Sequence, residues 1–389
     1  MTAIVISVSG IILSLLAVYY GRSSLLTIVL LLFMLLIFTF CTGGNPDILN
    51  YSYRYENNVY GLSLGFDFLM KLGHVLKLNF TGFKAFIGAL YLLLVYASLR
   101  KSTAYVTFAL ALFMIFPFPS GISQMRNALM AGIVLYTLVT YITDKNHSIV
   151  KLCLGLAVAV IVHPSAIFYF IFVLAGTKLK PKTIVVLTLV VILIAVESFI
   201  TSNNMMEIAS MFTDNERVLQ YFDFSEQREY SEKNLNWIGR SITSLGICMG
   251  YGIFLFVYSK LKQTLNSNNL YIEEQEKIFS IEQLETVNAI LMLTFTLVPL
   301  CVLDQTYFRL FKNITPLIYI VAAQYFSLNI GLAKEKVLEG RFLSFESENA
   351  ILGAKNVRVV VWLGVICAYY LMSHSQGFAT EMLNSFNLF

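Results

Sequence analysis

Several uninterrupted apolar stretches are about as long as a lipid bilayer is thick, and this restricts the fold more than any other feature of the chain. Ile4–Tyr20, Leu25–Phe40, Phe80–Leu99 and Val359–Met372 read as segments of bilayer length. In hydrocarbon the backbone must satisfy its own N–H and C=O groups, which leaves helices or a closed barrel. Barrel strands alternate apolar and polar residues, whereas these runs are apolar throughout, so the barrel is excluded. The expected fold class is all-α, a polytopic membrane helical bundle of about 12 transmembrane helices forming a single transmembrane domain over residues 1–389.

Composition agrees. Apolar residues make up 57% of the chain against roughly 45–50% in a soluble domain, and charged residues 13% against about 25%. Mean hydropathy is +0.72. The first apolar run has no basic segment before it and no small-residue cleavage site after it, so it is expected to be a retained span. A net charge of +4 with no basic, aromatic-interleaved tract gives no sign of nucleic acid binding. The five cysteines stand singly in or beside apolar spans, with no spacing that suggests a metal site, and read as small buried hydrophobes.

Polar breaks divide the chain into spans near 3–20, 25–41, 80–99, 103–118, 123–142, 149–162, 164–176, 183–200, 237–259, 286–303, 311–331 and 358–376. Lys and Arg gather in cytoplasmic loops. An outside N-terminus puts 16 of the 27 basic residues inside, most of them in short loops. That parity requires 149–176 to turn back at Val162-His163-Pro164-Ser165, where proline disfavours helical geometry in the residue before it. Segments 42–79 and 201–236 then lie outside, and 260–285 and 332–357 form cytoplasmic loops. Segment 42–79 opens on a turn-forming run, Thr42 to Asp47, and passes through a tyrosine-rich stretch to a short interfacial helix near 62–78. Segment 201–236 is acidic and reads as a solvated loop. Most of the tyrosines near 51–60 read as an interfacial aromatic belt.

A charge at membrane depth costs at least about 2.5–3.5 kcal/mol, so each one asks for a reason. Arg126 begins the fifth span, about 5 Å below its outer end, flanked by Gln124 and Asn127. One reading is a snorkelling arginine; the polar cluster around it favours a functional one. His163 is either a structural histidine serving the backbone freed by Pro164, or a base or hydrogen-bond donor to substrate. Asp304 and Arg309 stand at the outer junction of the tenth and eleventh spans, where they can pair with each other or serve a site. Asp47, with Tyr51 following, suits either a turn and helix cap or catalysis. Glu197 is a weaker candidate near an outer end.

The parity argument places these residues on one membrane face. Arginines grip phosphate oxygens through a planar bidentate fork, and a base beside them suits activation of a hydroxyl. A lipid-linked pyrophosphate at the outer leaflet fits such a set.

At these residues the sequence resembles the EpsG family of Wzy-like bacterial polysaccharide polymerases. The matching pieces are Gly44-Asn45-Pro46-Asp47 with Tyr51, Met125-Arg126-Asn127-Ala128-Leu129, His163-Pro164-Ser165-Ala166, and Tyr307-Phe308-Arg309. They run in order over about residues 40–320. Asn127 stands where the family often has Gln, and Asn45-Pro46-Asp47 where it usually has Gly-Thr-Asp. The resemblance implies a membrane-embedded glycosyltransferase (GT-C-like) in the bacterial cytoplasmic (inner) membrane, with its active site facing the periplasm or cell exterior. It implies transfer of a growing glycan from undecaprenyl pyrophosphate to the terminal sugar hydroxyl of a lipid-linked repeat unit of an O-antigen, capsule or exopolysaccharide. The expected roles are pyrophosphate binding for Arg126 and Arg309, and proton acceptance for His163 or Asp47, with Asp304 third. Gln124, Asn127, Tyr51 and Tyr307 are expected to contact substrate. No cofactor is expected and a metal is not obligatory. A chain-length regulator is a possible partner.

Three other classes compete. A flippase for lipid-linked glycans predicts charges spread along a path through the bilayer. An O-antigen ligase shares the donor but not the acceptor. A membrane O-acyltransferase with His163 as base does not need two outer arginines.

Overall fold

The computed structural model describes residues 2–41, 46–144, 146–177, 186–191, 193, 237–267, 277–296, 308–338 and 357–367. Among these residues every regular element is helical. The acidic segment 201–236 lies outside the described residues, as do Asp304, Tyr307 and Glu197.

In chain order the helices are α1 (Thr2–Tyr20), α2 (Ser24–Phe40), α3 (Pro46–Glu56), α4 (Leu64–Val75), α5 (Phe80–Ser102), α6 (Val106–Ile115), α7 (Phe118–Ser123), α8 (Met125–Thr143) and α9 (Ile149–Val162). A 3-10 helix (Pro164–Thr177) follows, then α10 (Trp237–Ser267), α11 (Ile281–Thr296), α12 (Phe308–Ile314) and α13 (Pro316–Leu338). A further apolar helix occupies Val357–Cys367. Among the described residues, α5, α8 and the stretch Leu245–Asn266 of α10 are long and apolar enough to cross a membrane, and shorter apolar helices accompany them. The protein is an integral membrane protein.

Local chemistry sets the ends of these helices. Ser23, Asn79 and Ser148 cap α2, α5 and α9 by accepting from the amides of Leu26, Gly82 and Lys151. Cys41 ends α2 in extended geometry, and its carbonyl accepts from Lys84 on α5. A lysine there meets the negative end of the α2 dipole. Expected span 103–118 is instead a ten-residue helix, α6, which stops before Phe116 and the cis Phe116–Pro117 bond. Expected span 311–331 is broken between α12 and α13, with Pro316 as the first residue of the second helix, where its missing N–H costs nothing.

The break foreseen at His163 is present. α9 ends at Val162, His163 is extended (φ −148°, ψ 118°), and the 3-10 helix packs against α9. Within segment 42–79, the described residues 46–79 form α3 and α4. Tyr55 ties them together, donating to the Leu78 carbonyl at 2.8 Å and stacking on Phe83 and His74. Leu64, Phe68 and Val75 are exposed on α4 while Phe66, Met70 and Gly73 are buried, the two-faced pattern of an interfacial helix. The cysteines divide: Cys41 is buried, but Cys248 and Cys367 lie on the outer surface.

The core centres on α8, which packs between α5 and α9, with α6 enclosed by α1, α2 and α13. Lipid offers no hydrophobic drive to hold helices together, so close packing must do it, and small residues permit the approach. Gly155 on α9 faces Thr137 on α8, where a β-carbon would stand 2.4 Å from Thr137 Cγ2 and 3.0 Å from its Cβ. Gly155→Ala is therefore expected to destabilise the bundle by about 1–3 kcal/mol, seen as a lower midpoint in thermal unfolding of the detergent-purified protein.

Candidate functional site

The site begins where α7 gives way to α8. Gln124 leaves helical geometry (φ −104°, ψ 58°), and the chain re-enters a helix at Met125. Gln124, Arg126 and Asn127 therefore stand together at the start of α8. Short helix α12 packs against α8 and carries Arg309, Lys312 and Asn313, spaced i, i+3 and i+4 and so on one face.

Side chains join the two helices. Lys312 Nζ donates to Gln124 Oε1 at 3.4 Å. Asn127 and Asn313 exchange amide contacts at 3.3 and 3.5 Å. Asn313 also donates to the Tyr169 hydroxyl at 2.9 Å, and that hydroxyl donates to the Arg309 carbonyl at 3.5 Å. Tyr169 thereby fastens the 3-10 helix to α12. Asn127, Lys312, Asn313 and Tyr169 are all buried, so their mutual satisfaction matters. Asn313→Ala leaves Tyr169 and Asn127 short of a partner; a loss of about 1–3 kcal/mol is expected, measured as a lowered unfolding midpoint.

Arg126 is held from two sides. Its Nη1 donates to the Leu62 carbonyl at 2.7 Å, and its Nη2 lies 3.5 Å from His163 Nε2. Its Nε is buried with no protein partner. The Leu62 carbonyl is placed by the turn before α4, where the Asp67 carboxylate accepts from the amides of Gly61 (2.7 Å) and Leu62 (3.0 Å). Gly61 takes φ +103°, a left-handed geometry that glycine adopts without strain. Ser63 Oγ donates to the Val162 carbonyl at 2.6 Å, which fixes the α4 end beside His163.

His163 is buried, and its Nδ1 faces Ser165, whose backbone N–H approaches at 3.2 Å and whose Oγ at 2.8 Å. A backbone N–H can only donate, so Nδ1 is an acceptor. In the neutral ring the proton then resides on Nε2. Nε2–H and Arg126 Nη2, 3.5 Å apart, are then two donor groups set side by side.

Arg309 is half-buried, and its charge acts on both His163 and Lys312. Arg126, Arg309 and Lys312 thus bring two guanidinium groups and an amino group to one end of the bundle. Among the described residues no carboxylate pairs with any of them; the described ion pairs are Lys151–Asp144 and Lys262–Glu285.

Of the residues expected from the sequence, the structure gathers Gln124, Arg126, Asn127, His163 and Arg309. Asp47 stands exposed in the first turn of α3, where a carboxylate complements the helix dipole. Tyr51 is half-buried against Phe66, with ring centroids 5.6 Å apart. Asp304 and Tyr307 fall outside the described residues. Lys312, Asn313, Tyr169 and Asp67 were not foreseen. The spacing of Arg309, Lys312 and Asn313 could have revealed the first two.

The sequence profile of the EpsG family matches residues 23–339, a range that takes in every residue of this cluster. No curated protein and no solved structure matches the chain. With most of its length inside that profile, the chain belongs to the EpsG family of Wzy-like polysaccharide polymerases.

Proposed function

We propose that the protein polymerises lipid-linked repeat units, moving a growing glycan from undecaprenyl pyrophosphate to the terminal sugar hydroxyl of the next unit at the outer face of the bacterial cytoplasmic membrane. The observation that carries this reading is the pair Arg126 and Arg309 gathered with the amine of Lys312, for which the described residues provide no carboxylate. Such a cluster is costly in the empty protein and favourable around a multiply charged anion.

In the reaction the acceptor oxygen bonds to the anomeric carbon while the bond from that carbon to the pyrophosphate oxygen breaks. Negative charge grows on the departing pyrophosphate, and donors already fixed in place stabilise it without reorganising. Arg126 and Arg309 are the main clamp and the amine of Lys312 a third donor. His163, through Nε2–H, donates to the same oxygens. The acceptor hydroxyl must lose its proton; Asp47 and Asp304 are the carboxylates available for that step. The pyrophosphate leaves readily once its charge is neutralised, so the mechanism requires no metal. A membrane-embedded glycosyltransferase arrangement of the GT-C-like kind is the architecture we assign to it. Tyr51 and Tyr307 are the aromatic contacts we assign to the glycan.

The test is purified protein in lipid nanodiscs supplied with a lipid-linked repeat unit, with products resolved on a gel. A ladder of repeats is the expected result. Transfer only to a separate lipid acceptor would show a ligase instead, and leaflet exchange without new glycosidic bonds a flippase.

A further inference from the structure

At the opposite end of the bundle Arg358 is 2% exposed, and its Nε is enclosed without a hydrogen-bond partner. It lies outside the range matched by the family profile, in the helix Val357–Cys367. That helix is fastened to α1, also outside the range, by a 2.8 Å hydrogen bond from Trp362 Nε1 to Ser14 Oγ. The guanidinium packs against the turn at Gly21, at the end of α1. Gly21 makes room for it: a β-carbon there would stand 2.4 Å from Arg358 Nη1 and 2.9 Å from Tyr105 Cδ1, and its φ of +49° favours glycine in any case. Tyr19 and Tyr105 lie within electrostatic reach of the charge.

A buried guanidinium for which the described residues supply no counter-charge is expensive, and the surroundings indicate which anion would relieve the cost. Tyr19, Tyr20, Leu16, Val357, Val360 and Leu363 on the two helices are exposed, so Arg358 lies beneath an apolar surface suited to lipid. The end of the molecule is basic, with Arg100 and Lys101 at the C-terminal end of α5 and Arg22 and Lys277 in connecting turns. We propose that Arg358 and the turn at Gly21 form a binding site for the phosphodiester of an anionic phospholipid, which pins α1 to the helix Val357–Cys367. The planar fork of arginine suits two phosphate oxygens. The site is independent of the polymerase reaction.

Native mass spectrometry of the full-length protein released from mixed micelles of phosphatidylglycerol and phosphatidylcholine tests it. The expected result is one retained phosphatidylglycerol and an unfolding midpoint about 2–5 °C above that in phosphatidylcholine alone. Arg358→Gln and Gly21→Ala should abolish both effects, while Lys101→Gln, a change of an exposed cation at the same end, should keep them. Equal retention of the two lipids by the unaltered protein would overturn the proposal even if Arg358→Gln failed to fold. So would full retention of phosphatidylglycerol by Arg358→Gln, or equal stabilisation by millimolar inorganic phosphate. Those outcomes would mean that the carbonyl end of α1 alone stabilises Arg358, or that the site takes free anions.

Discussion

Arg126→Ala protein, folded and inserted, is expected to elongate glycan about 10²–10³-fold more slowly than the unaltered protein, the loss that follows removal of one preorganised donor to a developing oxyanion. The position has no substitute close by. Arg126 occupies the first turn of α8, one of its nitrogens is committed to the Leu62 carbonyl, and a second lies beside His163. A lysine at 126 keeps the charge but cannot reach both places at once, so Arg126→Lys should recover only part of the rate. The same substitution to alanine need not weaken the fold, because it removes a cation whose Nε is buried and unpartnered. The hydrogen bond lost to the Leu62 carbonyl, about 1–2 kcal/mol, is offset by relief of a half-buried cation. Loss of activity with an unchanged or higher unfolding midpoint would mark Arg126 as a residue kept for chemistry at a cost in stability. Initial rates of ladder formation in nanodiscs, beside thermal unfolding of the same preparations, give both numbers. Full-length polymer from correctly inserted Arg126→Ala and Arg309→Ala proteins would end the pyrophosphate-clamp mechanism.

The second large effect separates two roles for His163. With Ser165 donating to Nδ1 at 3.2 Å, the working atom is Nε2–H. A glutamine at 163 can place an amide N–H near the Nε2 position, whereas the shorter asparagine reaches only the Nδ1 position. His163→Gln is therefore expected to keep activity within about tenfold of the unaltered protein, and His163→Asn and His163→Ala to lose about 10²-fold. A histidine acting as general base gives a different pattern, since no amide accepts a proton at neutral pH and all three variants would fall together. Nitrogen NMR of protein labelled at histidine adds a reading that does not depend on activity. A protonated Nε2 and a bare Nδ1 are expected at the His163 resonance, and the reverse assignment would remove the donor role.

How much of this was legible in the sequence depended on how local its cause was. The apolar runs gave the helices, because a backbone in lipid has few other choices. The break at His163 was legible because Pro164 restricts the residue before it. The break between α12 and α13 rests on the same residue type, Pro316, but it was hidden inside a run that reads as one span from 311 to 331. That smoothing also hid Lys312, whose charge was averaged away by the apolar residues around it. Arg126 and Arg309 stood out because each lies at the edge of a span. Lys84 and Asp67 were not legible at all. Lys84 closes α2 from another helix, and Asp67 shapes a turn whose carbonyl reaches a side chain 64 positions away from that carbonyl. Partnerships of that kind arise from the tertiary packing, which local pattern does not contain.

The grip of Arg126 on Leu62 has one more consequence. The acceptor is a main-chain oxygen, an atom that every amino acid supplies, and the turn presenting it is shaped by Asp67 and Gly61. Position 62 can therefore exchange one apolar side chain for another without disturbing the cation. The surface of α3 and α4 can then be rewritten for a new sugar while the charge beneath it stays in register. On the proposed mechanism, glycan preference can then drift separately from the clamp that receives the pyrophosphate.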